Sequence, residues 1–175
     1  MFLLDQFEGS VSCGVWSPVG TIIITGSQDR EYGLCMWDNN GVLKCKIDNY
    51  LVHDLQVSPD GKRLVVLSES GVHAYDLDTL NKIQEWILDD VKLTSTNISK
   101  DSRYILLSMN GSTGLALIEL ESGEVLRTFQ GSLHDQFITR NCFGGTNEEY
   151  VVSGSEGEIF VLQDSVSPRL TPHLL

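Results

Sequence analysis

Val15-Trp16-Ser17-Pro18-Val19-Gly20 recurs as Gln56-Val57-Ser58-Pro59-Asp60-Gly61, and again as Asn97-Ile98-Ser99-Lys100-Asp101-Ser102. The serines at 17, 58 and 99 stand 41 residues apart both times. A fixed interval of about 20–50 residues marks a repeat architecture, in which one supersecondary unit is copied along the chain. That period decides the fold class and lowers the expectation of catalysis.

Outward from each copy, short apolar runs alternate with clusters of Gly, Asp, Asn and Ser. The first unit has Val11–Trp16, Ile22–Thr25, Leu34–Trp37 and Leu43–Ile47. The second has Val52–Val57, Leu64–Leu67, Val72–Tyr75 and Ile83–Ile87. The third has Leu93–Ile98, Tyr104–Ser108, Leu115–Glu119 and Val125–Phe129. The fourth opens with Phe137–Phe143, Tyr150–Ser153 and Glu158–Leu162. Each run is of strand length and rich in Val, Ile, Leu and aromatic residues. Only Asp89–Ser95 is ambiguous between strand and helix. Ser58-Pro59-Asp60-Gly61 puts Pro, Asp and Gly where a tight reversal needs them, and Asn39-Asn40-Gly41 and Glu121-Ser122-Gly123 do the same further on. Four strands per unit joined by tight turns describe a propeller blade. The expectation is therefore an all-β, incomplete β-propeller of about four blades, each of four antiparallel strands. The units fall at about 11–50, 51–91, 92–131 and 132–164, and residues 165–175 form an unstructured tail. Phe2–Phe7 reads as the outer strand of a preceding blade.

These units resemble WD repeats. The residues that carry the resemblance are Trp16-Ser17-Pro18, Thr25-Gly26-Ser27-Gln28-Asp29 and Met36-Trp37-Asp38 in the first unit. The second has Val57-Ser58-Pro59-Asp60-Gly61 and Tyr75-Asp76, with Tyr75 in the Trp position. The third has Ile98-Ser99-Lys100-Asp101 and Ile118-Glu119, and the fourth Val152-Ser153-Gly154-Ser155-Glu156. The resemblance implies that a turn Asp and a strand Trp share a structural hydrogen-bond network with a Ser and a His. Asp29 and Trp37 fill two of those places in the first unit. No His stands at the expected Gly-His position, where Gly131-Ser132 falls, and His134 is a weak substitute. Blade stability is thus expected to rest mostly on apolar packing.

A narrower likeness involves Asp5-Gln6-Phe7-Glu8, Val11-Ser12-Cys13, Gly26–Glu31, Gly33–Asp38 and Gly123–Arg127. Its most specific stretch is Phe137-Ile138-Thr139-Arg140-Asn141-Cys142-Phe143-Gly144-Gly145. Together these are similar to WD-repeat subunits of GID/CTLH-type ubiquitin ligases, over roughly residues 3 to 161. The resemblance implies a non-catalytic scaffold that helps assembly or recruits substrates. Its implied partners are ligase subunits or substrate proteins. Two features depart from that type. Nothing helical precedes residue 3, where a LisH-CTLH region is expected, and the propeller of the type runs through further blades. After Val161, Leu162 stands where Trp is expected, and Gln163–Leu175 carries no blade pattern. This reads as a truncated product. A generic WD-repeat scaffold of another pathway, or a non-functional truncated product, is the alternative.

Composition narrows the partners. With 24 acidic and 12 basic side chains in 175 residues, the net charge is −12, a field that repels phosphate backbones and anionic lipid. No nucleic acid, membrane or small-molecule partner is expected. The apolar start MFLLDQFEGS lacks the basic region and length of a signal peptide or span, so a cytoplasmic or also nuclear location is expected. Cys13, Cys35, Cys45 and Cys142 show neither metal-ligand nor disulfide-framework spacing and read as small buried side chains of a reduced compartment. Asn97-Ile98-Ser99 and Asn110-Gly111-Ser112 match the glycosylation pattern by chance.

Catalytic patterns are thin. Gly111-Ser112-Thr113-Gly114 and Gly154-Ser155-Glu156-Gly157 miss the nucleophile-elbow pattern and lack its strand-turn-helix setting. His53-Asp54, His73 with Asp76, and His134-Asp135 are isolated pairs, read as loop or strand residues rather than metal ligands. Gly144-Gly145 opens no helix and has no following Lys, so it reads as a bend rather than a phosphate cradle. No catalytic, metal or cofactor site is expected. The structural repeat positions are Trp16, Ser27, Asp29, Trp37, Asp38, Asp60, Tyr75, Asp76, Asp101 and Glu156. Arg140, set in an apolar run beside Cys142, is the candidate partner contact, weighed against an inter-blade salt bridge.

Blades stabilise one another through neighbour interfaces, and an open run of them exposes apolar faces. Expressed alone, the 175-residue chain is expected to self-associate or precipitate. Light scattering checks this, and a monodisperse monomer with one cooperative thermal transition would contradict it.

Overall fold

The computed structural model describes residues 10–49, 51–87, 92–109, 114–129, 140–154 and 159–163, the last segment by its backbone. The chain divides into two compact units, residues 1–93 and 94–175. All the described elements are strands, paired antiparallel with their sequence neighbours.

The first unit holds two sheets. One contains β1 (Val11–Trp16), β2 (Ile22–Ser27), β3 (Leu34–Asp38) and β4 (Leu43–Ile47) in chain order. The other contains β5 (Val52–Val57), β6 (Arg63–Ser68), β7 (Gly71–Asp76) and β8 (Lys82–Trp86) in the same order. The second unit holds β9 (Leu93–Ile98), which begins one residue before the division, with β10 (Tyr104–Met109), β11 (Leu115–Glu119) and β12 (Val125–Phe129). Its last sheet is β13 (Asn141–Gly144), β14 (Tyr150–Gly154) and β15 (Ile159–Gln163). That sheet has three strands among the described residues, where the repeat pattern predicts four. Phe2–Phe7, Glu156 and residues 165–175 lie outside the described residues.

Burial explains the sequence of each strand. The middle strands β6, β7, β10 and β11 are buried on both faces for nearly their whole length, so they read as unbroken apolar runs such as Leu64–Leu67 and Ile105–Leu107. The outer strands β4 and β8 alternate or lie open, and carry Lys44, Lys46, Lys82 and Glu85. Charges on an outer edge discourage pairing with another chain. In the first unit β1 lies against β5, and one core joins both sheets: Ile24, Leu34 and Met36 pack with Val52, Leu55, Val57, Leu64, Val66, Tyr75 and Leu77. Ser12 Oγ lies 2.7 Å from Val52 O and donates across to the second sheet. In the second unit Leu106, Leu115 and Val151 form a smaller core edged by Phe129 and Phe143.

The recurring serine closes the first hairpin of three sheets. Ile22, Arg63 and Tyr104 each donate a backbone N–H to the Oγ of Ser17, Ser58 and Ser99, at 3.1, 2.9 and 3.0 Å. The same serines donate their own N–H to those residues' carbonyls at 2.9, 2.9 and 3.0 Å. The third residue on, Gly20, Gly61 or Ser102, turns back with φ of 69, 73 or 60° and donates to the serine carbonyl. Gly answers that left-handed conformation at no steric cost, and Ser102 adopts it at some cost. Ser58 and Ser99 also donate to Asp60 Oδ1 and Asp101 Oδ1, both at 2.6 Å. In the last sheet Gly144–Tyr150 replaces this device, and Glu149 folds its carboxylate onto the Asn147 N–H at 2.8 Å.

These closures sit at the inner edge of the core. Ser58 is fully buried, so Ser58→Ala leaves the Arg63 N–H without its hydroxyl and is expected to cost about 1–3 kcal/mol. Gly26→Ala drives a methyl to within 2.4 Å of Val52 Cγ1, with an expected cost of about 1–3 kcal/mol from overpacking. Chemical denaturation of both variants checks these values, with the exposed Ser122→Ala expected within about 0.5 kcal/mol of the parent.

Candidate interaction surface

A second repeated device caps the hairpin between the third and fourth strands. Asp38 Oδ1 accepts the N–H of Asn40 and of Val42, each at 2.9 Å. Asp76 Oδ1 accepts the N–H and the hydroxyl of Thr79, each at 2.8 Å. Glu119 Oε2 accepts the Ser122 hydroxyl at 2.8 Å. The residue after each Trp-position side chain is thus a turn-capping carboxylate, a role for which a short acidic side chain suits. The backbone N–H of Val42 first, and then the Lys44 ammonium, hold Asp38 below the ordinary carboxylate range. The Thr79 N–H and hydroxyl do the same for Asp76. Burial pushes Asp60 up, but the Ser58 hydroxyl and Lys62 N–H outweigh it and bring the carboxyl below that range.

The remaining repeat positions fall as follows. Trp37 is buried, and its indole N–H donates to Thr25 Oγ1 at 2.9 Å. Asp29 accepts the Glu31 N–H at 2.9 Å within its own turn. Ser27 is buried and donates to Ser10 O at 2.9 Å, while accepting the Asp29 N–H at 2.9 Å. Tyr75 is buried in the core of the first unit. One and two repeats on from Thr25 stand Val66 and Leu107, which have no oxygen to accept such a bond, and Tyr75 and Ile118 hold the Trp37 position, all buried. Trp16 is 52% exposed, whereas its counterpart Val57, in β5 against the first sheet, is 8% exposed. With Val19 and Val42, Trp16 places exposed apolar side chains at the hairpin ends of the first sheet.

Arg140 directly precedes β13 and is exposed, and its carbonyl accepts the Gly154 N–H at 3.4 Å. It stands outside the strand rather than within it, and no ion pair to it occurs among the described residues. The neighbouring Asn141 is the residue that ties the sheets of the second unit together. Its amide donates to Ser108 Oγ at 2.7 Å and Ser95 Oγ at 3.2 Å, all in a buried setting. A polar residue at the head of an apolar run was the available signal for it. Cys142, expected in the interior, is exposed because it lies on the open face of β13. Cys35 is buried, and burial pushes its thiol to about 11, which leaves it unreactive. His73 and Asp76 serve separate clusters: Asp76 caps its turn, and His73 meets Ser68, Ser70 and Glu85. Gly145 bends the chain after β13 with φ of 87°. Among the described residues, no helix is long and apolar enough to cross a membrane. The described hairpins present isolated apolar and charged side chains to solvent, which suits protein contact.

No protein-family model matches the chain. It is similar to the GID complex subunit 7 of Schizosaccharomyces pombe, 32% identical over 165 residues that cover 89% of this chain and 32% of that protein. It is also similar to the WD repeat-containing protein WDS homolog of Arabidopsis thaliana, 31% identical over 84% of this chain and 28% of the relative. A WD repeat-containing protein 26 homolog of the same plant is 34% identical over 83% of this chain and 25% of the relative. The chain spans about a third or less of the length of these relatives.

The turn carboxylates give stability a pH sign. Asp38, Asp60 and Asp76 are held low in the folded chain and return to the ordinary range when it unfolds. Their contribution is therefore present above that range and is lost as pH falls through it. Melting temperature is expected to be flat near neutrality and to drop as pH falls below about 4. The triple Asn variant is expected to melt lower at neutral pH and to show a shallower acid dependence by calorimetry.

Proposed function

The chain being a run of all-β WD-repeat propeller blades, we propose that it serves as a non-catalytic protein-interaction scaffold, as part of the WD-repeat subunit of a GID/CTLH-type ubiquitin ligase. The observation that carries the finer reading is the likeness to a named GID complex subunit along 89% of the chain. The scaffold role is supported by sheets whose interiors are given over to packing and whose hairpins present side chains outward. In this reading the blades help assemble the ligase or hold substrates for ubiquitin transfer by other subunits. Its partners are proteins. The net charge of −12 disfavours nucleic acid and anionic membranes, and the proposed location is the cytoplasm, with the nucleus as a second site. Arg140, exposed at the head of β13, is the proposed contact residue, because Arg is enriched at interface hot spots. A WD-repeat scaffold of another pathway is the second reading, favoured by the relatives named only for their repeats.

Affinity purification of the tagged chain from its source cells tests the reading. RING-type and LisH-CTLH subunits are expected in the eluate, and their absence moves the assignment to the second reading. Arg140→Ala is expected to leave the melting temperature within about 1 °C of the parent, as for an exposed side chain. It is expected to cut capture about tenfold or more, the loss typical of an interface anchor. Unchanged capture would remove Arg140 from the interface.

A further inference from the structure

The β6–β7 hairpin carries a constellation that the scaffold role does not use. His73 lies on β7 with its ring 1% exposed. Its Nε2 is 3.0 Å from Ser70 Oγ and 2.8 Å from Ser68 Oγ. Its Nδ1 is 3.4 Å from Glu85 Oε1, presented by the neighbouring β8. Ser70 is exposed at the hairpin tip, while Ser68 is buried beneath it. The register fixes the arrangement. Ser68 pairs with Gly71, so Glu69 and Ser70 form a two-residue turn, and His73 pairs with Glu85 across β7 and β8. Ser70 donates its N–H to Ser68 Oγ at 3.2 Å, which anchors the turn.

We propose that Ser70 is a base-activated hydroxyl, a reactive serine that accepts an acyl group from an activated carboxylic ester or thioester. A nucleophile within hydrogen-bond reach of a base, with the base oriented by a third group, is the arrangement that makes serine reactive. The Glu85 carboxylate, a charge contact at 3.4 Å rather than a hydrogen bond, favours the tautomer with hydrogen on Nδ1 by its negative charge, and in that tautomer the Nε2 lone pair faces the two hydroxyls. Ser70 Oγ attacks the acyl carbonyl and its proton passes to His73 Nε2. The bond from the carbonyl carbon to the leaving group breaks, and the leaving group takes the proton from Nε2. Ser70 is left as an ester, and attack by water, with His73 again accepting the proton, returns the hydroxyl and releases the acid. Glu85 and Lys82 are the charged groups that face the imidazole. Burial first and Lys82 second keep it below the ordinary histidine range, and Glu85 opposes them. The ring is therefore neutral, and able to act as a base, at physiological pH. Exposure of the tip leaves the Ser70 hydroxyl open to activated acyl compounds arriving from solvent.

The test is labelling of the chain in the assembly purified from its source cells, with a fluorophosphonate probe and, separately, p-nitrophenyl acetate, with adducts located by mass spectrometry. Ser70 is expected to react about a hundredfold or more faster than Ser122, which is exposed but bonded to Glu119 and has no histidine at its hydroxyl, as expected for general-base assistance. The rate is expected to fall with acid as His73 protonates. Ser70→Ala is expected to abolish the adduct and Ser68→Ala to retain it. Because His73 is buried and His73→Gln can unfold the blade, Glu85→Gln, on the partly exposed outer strand, is the second variant. It is expected to slow labelling about tenfold or more with an unchanged melting temperature. Labelling of Ser70 at the Ser122 rate, or an acid-independent rate, would overturn the proposal.

Discussion

The buried serine hydroxyl at positions 17, 58 and 99 is the interaction on which the sheets depend. In these three sheets the first strand turns into a largely buried middle strand, so the serine and the N–H it accepts lie where the turn enters the core. An unmet N–H there would carry its full desolvation cost. One serine meets three needs in each of three sheets. It accepts an N–H through Oγ, donates its own N–H to that residue's carbonyl, and accepts the left-handed turn residue through its carbonyl. The apolar layers can then close over the turn.

The outer hairpin solves a similar problem in a wetter place. Asp38, Asp76 and Glu119 satisfy turn donors with a carboxylate, which is costless to expose and accepts strongly from N–H and O–H groups. The first hairpin thus sets a buried hydroxyl at its base, joined in two sheets by the Asp60 or Asp101 carboxylate, and the second hairpin uses a carboxylate without that serine. The Trp37–Thr25 bond occurs in the first sheet alone among the described sheets whose counterparts are resolved in side chain. Elsewhere Val66 and Leu107 stand in the Thr25 position and offer no acceptor.

Most strands were legible because each lies between turn signals and because middle and outer strands differ in composition. Their observed ends shift by one or two residues, as at Ile22–Ser27 and Lys82–Trp86, where ladder bonds run past the apolar run. The candidate site was less legible. Arg140 was visible as a charge in an apolar stretch, but its place just outside β13 depends on where pairing to β14 stops. Asn141 escaped notice as a tie because its partners, Ser95 and Ser108, lie on other strands more than thirty residues away. His73 looked paired with Asp76 by proximity in sequence. Strand register instead gives it Glu85 from β8 and the serines of its own hairpin.

By itself, the sequence determined the period, the strand content and the chemistry of the turns. Those are local: each hairpin is closed by groups within about six residues, so the residue types that can close it must recur in order. Only the tertiary structure decided which apolar side chains are covered, which leaves Trp16 open where Val57 is buried. It alone brought Asn141 to two buried serines and His73 between Ser70 and Glu85. These outcomes depend on which strand lies beside which and on which sheet packs against another, and no short window of sequence carries that information.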